Sequence, residues 1–184
     1  NRDLSVLETY DTGKPLSETL YVDATSGADA LEYFGGLAGS LTGEHIPLGG
    51  GDFAYTIREA LGVCVGIGAW NYPTQIACWK GAPALACGNT IVFKPSEFTP
   101  HTSEVMGQLF AQYFEASEIT VVTGGPDVGA AFSSLPLDHL IFTGASSIGK
   151  LILRAAAENM VPVTLELGGK SPVIISDDYD IDLA

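Results

Sequence analysis

Short apolar runs recur at residues 63–67, 91–93, 119–122, 139–142 and 173–175, and segments long enough for a helix separate the first four, at 76–87, 103–114 and 128–134. A further helix-length segment, 146–159, follows the fourth run. Runs this short suit strands buried on both faces. Their alternation with helices predicts an α/β chain whose mostly parallel sheet is covered by helices on both sides. Ligands of such sheets gather at the carboxyl ends of the strands. The polar and glycine-rich signals of the chain fall after these runs: Trp70-Asn71, Lys94-Pro95-Ser96-Glu97, Gly124-Gly125-Pro126, Thr143-Gly144 and Glu166-Leu167-Gly168-Gly169.

Upstream, residues 4–9 read as a helix, and so do 19–42, from apolar or small side chains at Leu20, Ala24, Ala28, Leu31, Phe34 and Leu37. The glycines at 49–51 break the chain, and 53–57 and 61–67 read as extended segments. The chain opens inside a helix and stops after an acidic turn, so both ends read as cuts through a larger protein. A formal charge of −14 argues against a nucleic-acid or anionic-membrane partner and favours a soluble protein. The cysteines Cys64, Cys78 and Cys87 form no CxxC pair and read as buried, reduced thiols of a cytoplasmic protein. His45, His101 and His139 lack ligand spacing, so no metal centre is expected.

Several constellations admit a structural or a chemical reading. Gly66-Ile67-Gly68-Ala69-Trp70 starts like a GxGxxG turn without its third glycine, and Gly144 to Gly149 has GxxxxG spacing; Leu151 after Lys150 excludes a phosphate loop of the GxxxxGK[ST] class. Either is a strand-to-helix turn or a dinucleotide cradle, the second favoured because Ser146 can cap the following helix. Lys94 and Glu97 form a surface ion pair, or else a donor and an acceptor for ribose and phosphate. Asn71 is a turn asparagine or an oxyanion donor. Glu166 is a turn carboxylate or a general base made basic by desolvation. Tyr72 and Trp79, seven residues apart, share a helix face if the helix starts near Pro73, either as core packing or as a cation–π site for a charged amine.

Ala69-Trp70-Asn71-Tyr72-Pro73, Lys94-Pro95-Ser96-Glu97, Phe142-Thr143-Gly144 and Leu165-Glu166-Leu167-Gly168-Gly169-Lys170-Ser171-Pro172, in this order, resemble the aldehyde dehydrogenase superfamily over nearly the whole chain. The resemblance implies a Rossmann-like NAD(P)-binding domain, truncated at both ends: residues 1–60 are an N-terminal helical segment and the start of an oligomerisation arm, 61–184 the NAD(P)-binding domain, and the catalytic domain is absent. It implies a homodimer or homotetramer, an aldehyde substrate, and NAD or NADP with NAD favoured. By resemblance, Asn71 is the oxyanion donor and Glu166 the general base. Gly68, Ala69, Trp70, Lys94, Ser96, Glu97, Gly125, Pro126, Gly129, Phe142, Thr143, Gly144, Ala145, Ile148, Leu167 and Gly168 line the cofactor. Tyr72 and Trp79 match aromatic positions of betaine aldehyde and aminoaldehyde dehydrogenases. Segments 138–142 and 159–172 are more similar to coniferyl-type relatives. Ala145 and Ser147 depart from the serine and glutamate of many relatives, and Ala145 removes a hydroxyl contact to pyrophosphate.

The family chemistry starts with attack of a cysteine thiolate on the aldehyde. In relatives that cysteine follows the glutamate motif by some 34 residues, beyond Ala184, so residues 1–184 alone are expected to be inactive. The alternatives are a non-catalytic dinucleotide-binding or assembly protein, and an acyl-phosphate-forming or reductive enzyme; Glu166 favours hydrolytic release.

Overall fold

Apolar and small side chains at helical spacing mark the first forty residues, and a computed structural model, which describes residues 2–183, folds residues 2–40 into a layer of helices. Helix α1 (Arg2–Thr12) is followed by α2 (Leu16–Glu18), a π-helical turn (Thr19–Asp23) and α3 (Ala24–Leu37) in one nearly continuous run. The expected helix over 19–42 therefore starts earlier and ends earlier, with a 3₁₀ turn at Ala38–Ser40. The extra residue per turn of a π-helix brings Thr19 and Asp23 inward together, and both are fully buried. Next, β1 (His45–Gly49) and β2 (Asp52–Tyr55) form an antiparallel hairpin around the three-glycine turn. Strand β1 was not anticipated from the sequence.

From residue 63 the alternation becomes regular. Strands β3 (Val63–Ile67), β4 (Thr90–Lys94), β5 (Ile119–Val121), β6 (His139–Gly144) and β7 (Val163–Leu167) form one parallel sheet in the order β5-β4-β3-β6-β7. Helices α4 (Pro73–Ala86), α5 (Pro100–Tyr113), α6 (Pro126–Ser133) and α7 (Ser146–Ala157) make the crossovers. The first strand of the sheet, β3, lies in its middle, and chain direction across the sheet switches between β3 and β6. A crevice forms outside the strand ends at such a point.

Side-chain alternation divides the core between the two faces. Cys64, Ile91, Phe93 and Ile119 pack under α4 and α5 with Ala77, Met106 and Phe110. Val65, Ile67, Leu140 and Phe142 face α7 with Ile152 and Ala156. Helix α3 packs along α4, and α1 packs against α5. This is the α/β architecture that the alternation predicts and the Rossmann-like fold that the resemblance implies.

Two expectations need correction. The fifth strand is Val163–Leu167, not 173–175; Val173 and Ile174 are 83% and 92% exposed and belong to no strand. In β7, Val163 and Leu165 join the core while Thr164 and Glu166 face outward. An edge strand of this kind reads as alternation, not as a continuous apolar run. The extended segment at 61–67 likewise starts as strand only at Val63, after Gly62 in a positive-φ conformation.

Beneath the helical layer lies an unusual polar cluster. Glu8 and Asp23 are fully buried and face each other at hydrogen-bonding range. Glu8 Oε2 accepts from Thr74 Oγ1, and Asp23 Oδ2 accepts from Lys14 Nζ at 2.6 Å. Among the described residues, Glu8 Oε1 and Asp23 Oδ1 find no other hydrogen-bond partner. Burial, reinforced by Asp23, pushes the Glu8 carboxyl up to about 7. The folded chain thus holds a proton on Glu8 that the unfolded chain releases near its ordinary value of 4.5. Stability therefore falls as pH rises through that window, by about 1.4 kcal/mol per pH unit for this group, and levels off above it. Glu8→Gln keeps a donor for Asp23 and an acceptor for Thr74 but cannot ionise. Urea midpoints are expected to show the variant gaining on the wild-type protein between pH 5 and pH 7.5; parallel curves would show that Glu8 does not carry the proton.

Candidate functional site

At the carboxyl ends of the strands the chain leaves an open cleft of about 1490 Å³. Every strand of the sheet except the edge strand β5 sends residues directly into it: Gly68 to Tyr72 after β3, Lys94, Ser96 and Glu97 from β4, Phe142 to Ser146 from β6, and Glu166 to Lys170 from β7. Helix α6, which follows β5, contributes Pro126 and Gly129, and α7 contributes Ile148. The structure thus brings the sequence-predicted residues to one cleft, including both aromatics, with one exception. Gly125 does not line it but sits at the N-cap of α6.

Two close approaches shape this cleft. A Cβ on Gly68 would stand 2.8 Å from the Phe93 ring, so the strand end can bend over that ring only as glycine. A Cβ on Gly149 would come within 3.0 Å of Leu167, which fixes how near α7 lies to the strand carrying Glu166.

Where helices start at the cleft, backbone donors are left without side-chain caps. Helix α7 begins after Ala145, and no side chain caps it; Ser146 is its first helical residue, not its cap as the sequence suggests. Helices α6 and α4 are likewise uncapped at Gly125 and Tyr72. Beside them Lys94 Nζ lies 2.9 Å from Glu97 Oε2. This is not the surface pair of the simpler reading, because the lysine side chain is only 4% exposed while the glutamate is 34% exposed. The neighbouring ammonium holds the Glu97 carboxyl below its ordinary value. A buried cation, a carboxylate and open helix amides form the donor and acceptor set that a ribose and a pyrophosphate require.

Behind Thr143 and Glu166, and not itself lining the cleft, lies a group that the sequence did not single out. Lys80, the sole charged residue of α4, is 3% exposed and donates from Nζ to Thr143 Oγ1 at 2.7 Å. Thr143 Oγ1 in turn donates to Glu166 Oε2 at 2.7 Å, and Lys80 Nζ lies 3.5 Å from the same oxygen. Burial lowers the Lys80 ammonium from its usual range, and Glu166 acts against that shift. The signal available in the sequence was one lysine in an otherwise apolar helix, which requires a buried partner. Glu166 itself is 52% exposed at its side chain, so the desolvated carboxylate expected from its neighbours is not what the strand end presents. Its oxygen is fixed by Thr143 and Lys80 instead.

Asn71 is exposed at the rim, in the turn between β3 and α4. Tyr72 is half-buried, and its hydroxyl donates to Glu18 at 3.2 Å; Trp79 donates from its indole nitrogen to Ser26 at 3.1 Å. The thiols lie elsewhere: Cys64 and Cys78 are buried in the core, Cys87 is exposed at the end of α4 contrary to expectation, and none of the three lines the cleft. Burial pushes the Cys78 thiol up to about 12. Among the described residues no helix is long and apolar enough to cross a membrane.

Comparison with known proteins places this geometry in a familiar setting. The aldehyde dehydrogenase family pattern matches residues 1–184. A betaine aldehyde dehydrogenase of Cereibacter sphaeroides is 55% identical over all of this chain, which spans 38% of that protein's length. A betaine aldehyde dehydrogenase of Staphylococcus aureus, solved as a double mutant in complex with NAD+, superposes with a TM-score of 0.89 at 41% identity, covering 99% of this chain and 37% of the other. An indole-3-acetaldehyde dehydrogenase of P. syringae in complex with NAD+ and IAA gives a TM-score of 0.88 at 39% identity, over 93% of this chain and 35% of the other.

Proposed function

The chain belongs to the aldehyde dehydrogenase family, and from that premise we propose that the whole protein oxidises a small aldehyde to its carboxylic acid with NAD, betaine aldehyde or an aminoaldehyde being the substrate. The observation that carries this reading is the meeting of Asn71, the Glu166–Thr143–Lys80 cluster and the Lys94–Glu97 pair around one cleft. Residues 1–60 act as a helical layer and the start of an oligomerisation arm, and 61–184 as the cofactor-binding domain. The exposed apolar side chains of the hairpin, Ile46, Leu48, Phe53 and Tyr55, support assembly of identical subunits through it. Free thiols and net acidity support a cytoplasmic setting.

The nucleotide is held by Lys94 and Glu97 at a ribose, by the open amides of α6 and α7 at the phosphates, and by Gly68, Ala69, Trp70, Ser96, Pro126, Gly129, Phe142, Thr143, Gly144, Ala145, Ile148, Leu167 and Gly168 along the cleft wall. A carboxylate at position 97 favours a ribose hydroxyl over a 2′-phosphate, hence NAD over NADP. When bound, the dinucleotide supplies a hydride acceptor.

The thiolate nucleophile comes from outside these residues. Asn71 donates to the carbonyl oxygen as negative charge develops on it. Glu166 takes a proton from the water that releases the acid, while Thr143 and Lys80 orient its carboxylate. Tyr72 and Trp79 present ring faces to a cationic substrate, and the similarity to betaine aldehyde dehydrogenases supports that choice.

The test is NAD reduction by the whole protein with betaine aldehyde, an aminoaldehyde and benzaldehyde. The cationic aldehydes are expected to lead in kcat/KM by at least about tenfold, the worth of a desolvated cation–π contact. Preference for benzaldehyde would overturn the substrate class, and NAD reduction with none of them would overturn the activity.

A further inference from the structure

The ring of Tyr72 does not stand alone at the cleft. Lys14 Nζ lies 3.4 Å from its centroid, and since Tyr72 lines the cleft while Lys14 does not, the ammonium covers the far side of the ring. The ammonium is itself held: Asp23 Oδ2 lies 2.6 Å away and Glu18 Oε1 3.1 Å, with the lysine side chain 12% exposed. Glu18 Oε1 also accepts the Tyr72 hydroxyl. One carboxylate therefore clamps both the cation and the ring that it covers.

We propose that Lys14 is a positioning residue for the substrate aromatic Tyr72: pinned between Asp23 and Glu18, it fixes the ring plane from behind through a cation–π contact and leaves the cleft-side face open. The inference rests on the reading of Tyr72 as a substrate contact. A cation behind a ring would ordinarily repel a second cation in front of it. Here Asp23 and Glu18 lie closer to the Lys14 ammonium than any substrate can, and they offset its charge. Glu8 faces Asp23 from α1, and Thr74 at the start of α4 donates to Glu8. The arrangement spans α1, the π-helical turn and the start of α4, so a helical layer remote in sequence sets the geometry of the residue next to Asn71.

Lys14→Met in the whole protein is expected to raise KM for both betaine aldehyde and benzaldehyde, on the order of fivefold, with kcat within about twofold, because a loosened ring costs every substrate that touches it. Lys14→Arg is expected to restore KM. In a Tyr72→Ala background, Lys14→Met is expected to add almost nothing, an outcome that general structural damage would not produce. Should Lys14→Met leave Asp23 too poorly compensated to fold, the neutral pair Lys14→Met with Asp23→Asn carries the same comparison. Unchanged KM in these variants, or an undiminished rise in the Tyr72→Ala background, overturns the proposal. Tyr72→Ala leaving KM unchanged would instead sink the substrate reading on which it rests.

Discussion

Glu166→Gln in the whole protein is expected to lower steady-state aldehyde oxidation by roughly 10²- to 10⁴-fold, the usual worth of a general base. The glutamine still offers Thr143 an acceptor, so the strand end should keep its shape. What disappears is the ability to take a proton from water, together with the anion beside the buried Lys80. The loss should fall on acid release and spare the first turnover, so a rapid-mixing experiment is expected to show a burst of about one reduced nicotinamide per site followed by a slow steady state. Loss of the burst in proportion to the steady state would assign Glu166 to preparation of the nucleophile, and near-normal turnover would remove it from the chemistry.

Asn71→Ala should act on the step before. Removing one donor from an oxyanion site typically costs on the order of 10²- to 10³-fold in kcat. Asn71 stands on an exposed turn, so the fold should tolerate the change. Burst and steady state should fall together, NAD affinity should stay within about twofold, and Asn71→Asp should be at least as slow because it places a negative charge where one develops. A rise in KM with kcat unchanged would make Asn71 a binding group only.

The sheet was legible because four of its strands are short continuous apolar runs, and the cleft was legible because polar and glycine motifs follow those runs. Strand β7 was not, since half of its side chains face away from the core and its signal is alternation. The hairpin strand β1 was hidden by Pro47 and by side chains that are all exposed. Lys80 and Lys14 were invisible for a different reason. Each acts through partners far away in the sequence, Glu166 for one and Tyr72 for the other, and no local pattern reports such pairings. Resemblance supplied roles for Asn71 and Glu166, but burial, exposure and the Thr143 bridge required the fold.

The uncapped helix ends have a bearing on how an acidic chain takes up an acidic ligand. These 184 residues carry a formal charge of −14, which by itself repels a dinucleotide. The start of α5 is quenched by Asp11, which accepts from the Thr102 amide at 2.7 Å, while α4, α6 and α7 start at tyrosine, glycine and alanine. Positive potential thus survives at the start of α7, on the cleft side, while Asp127 in the first turn of α6 weakens it there and Asp11 cancels it at α5. Attraction operates only within about a helical turn of the amides, so capture depends on the last few ångströms of approach.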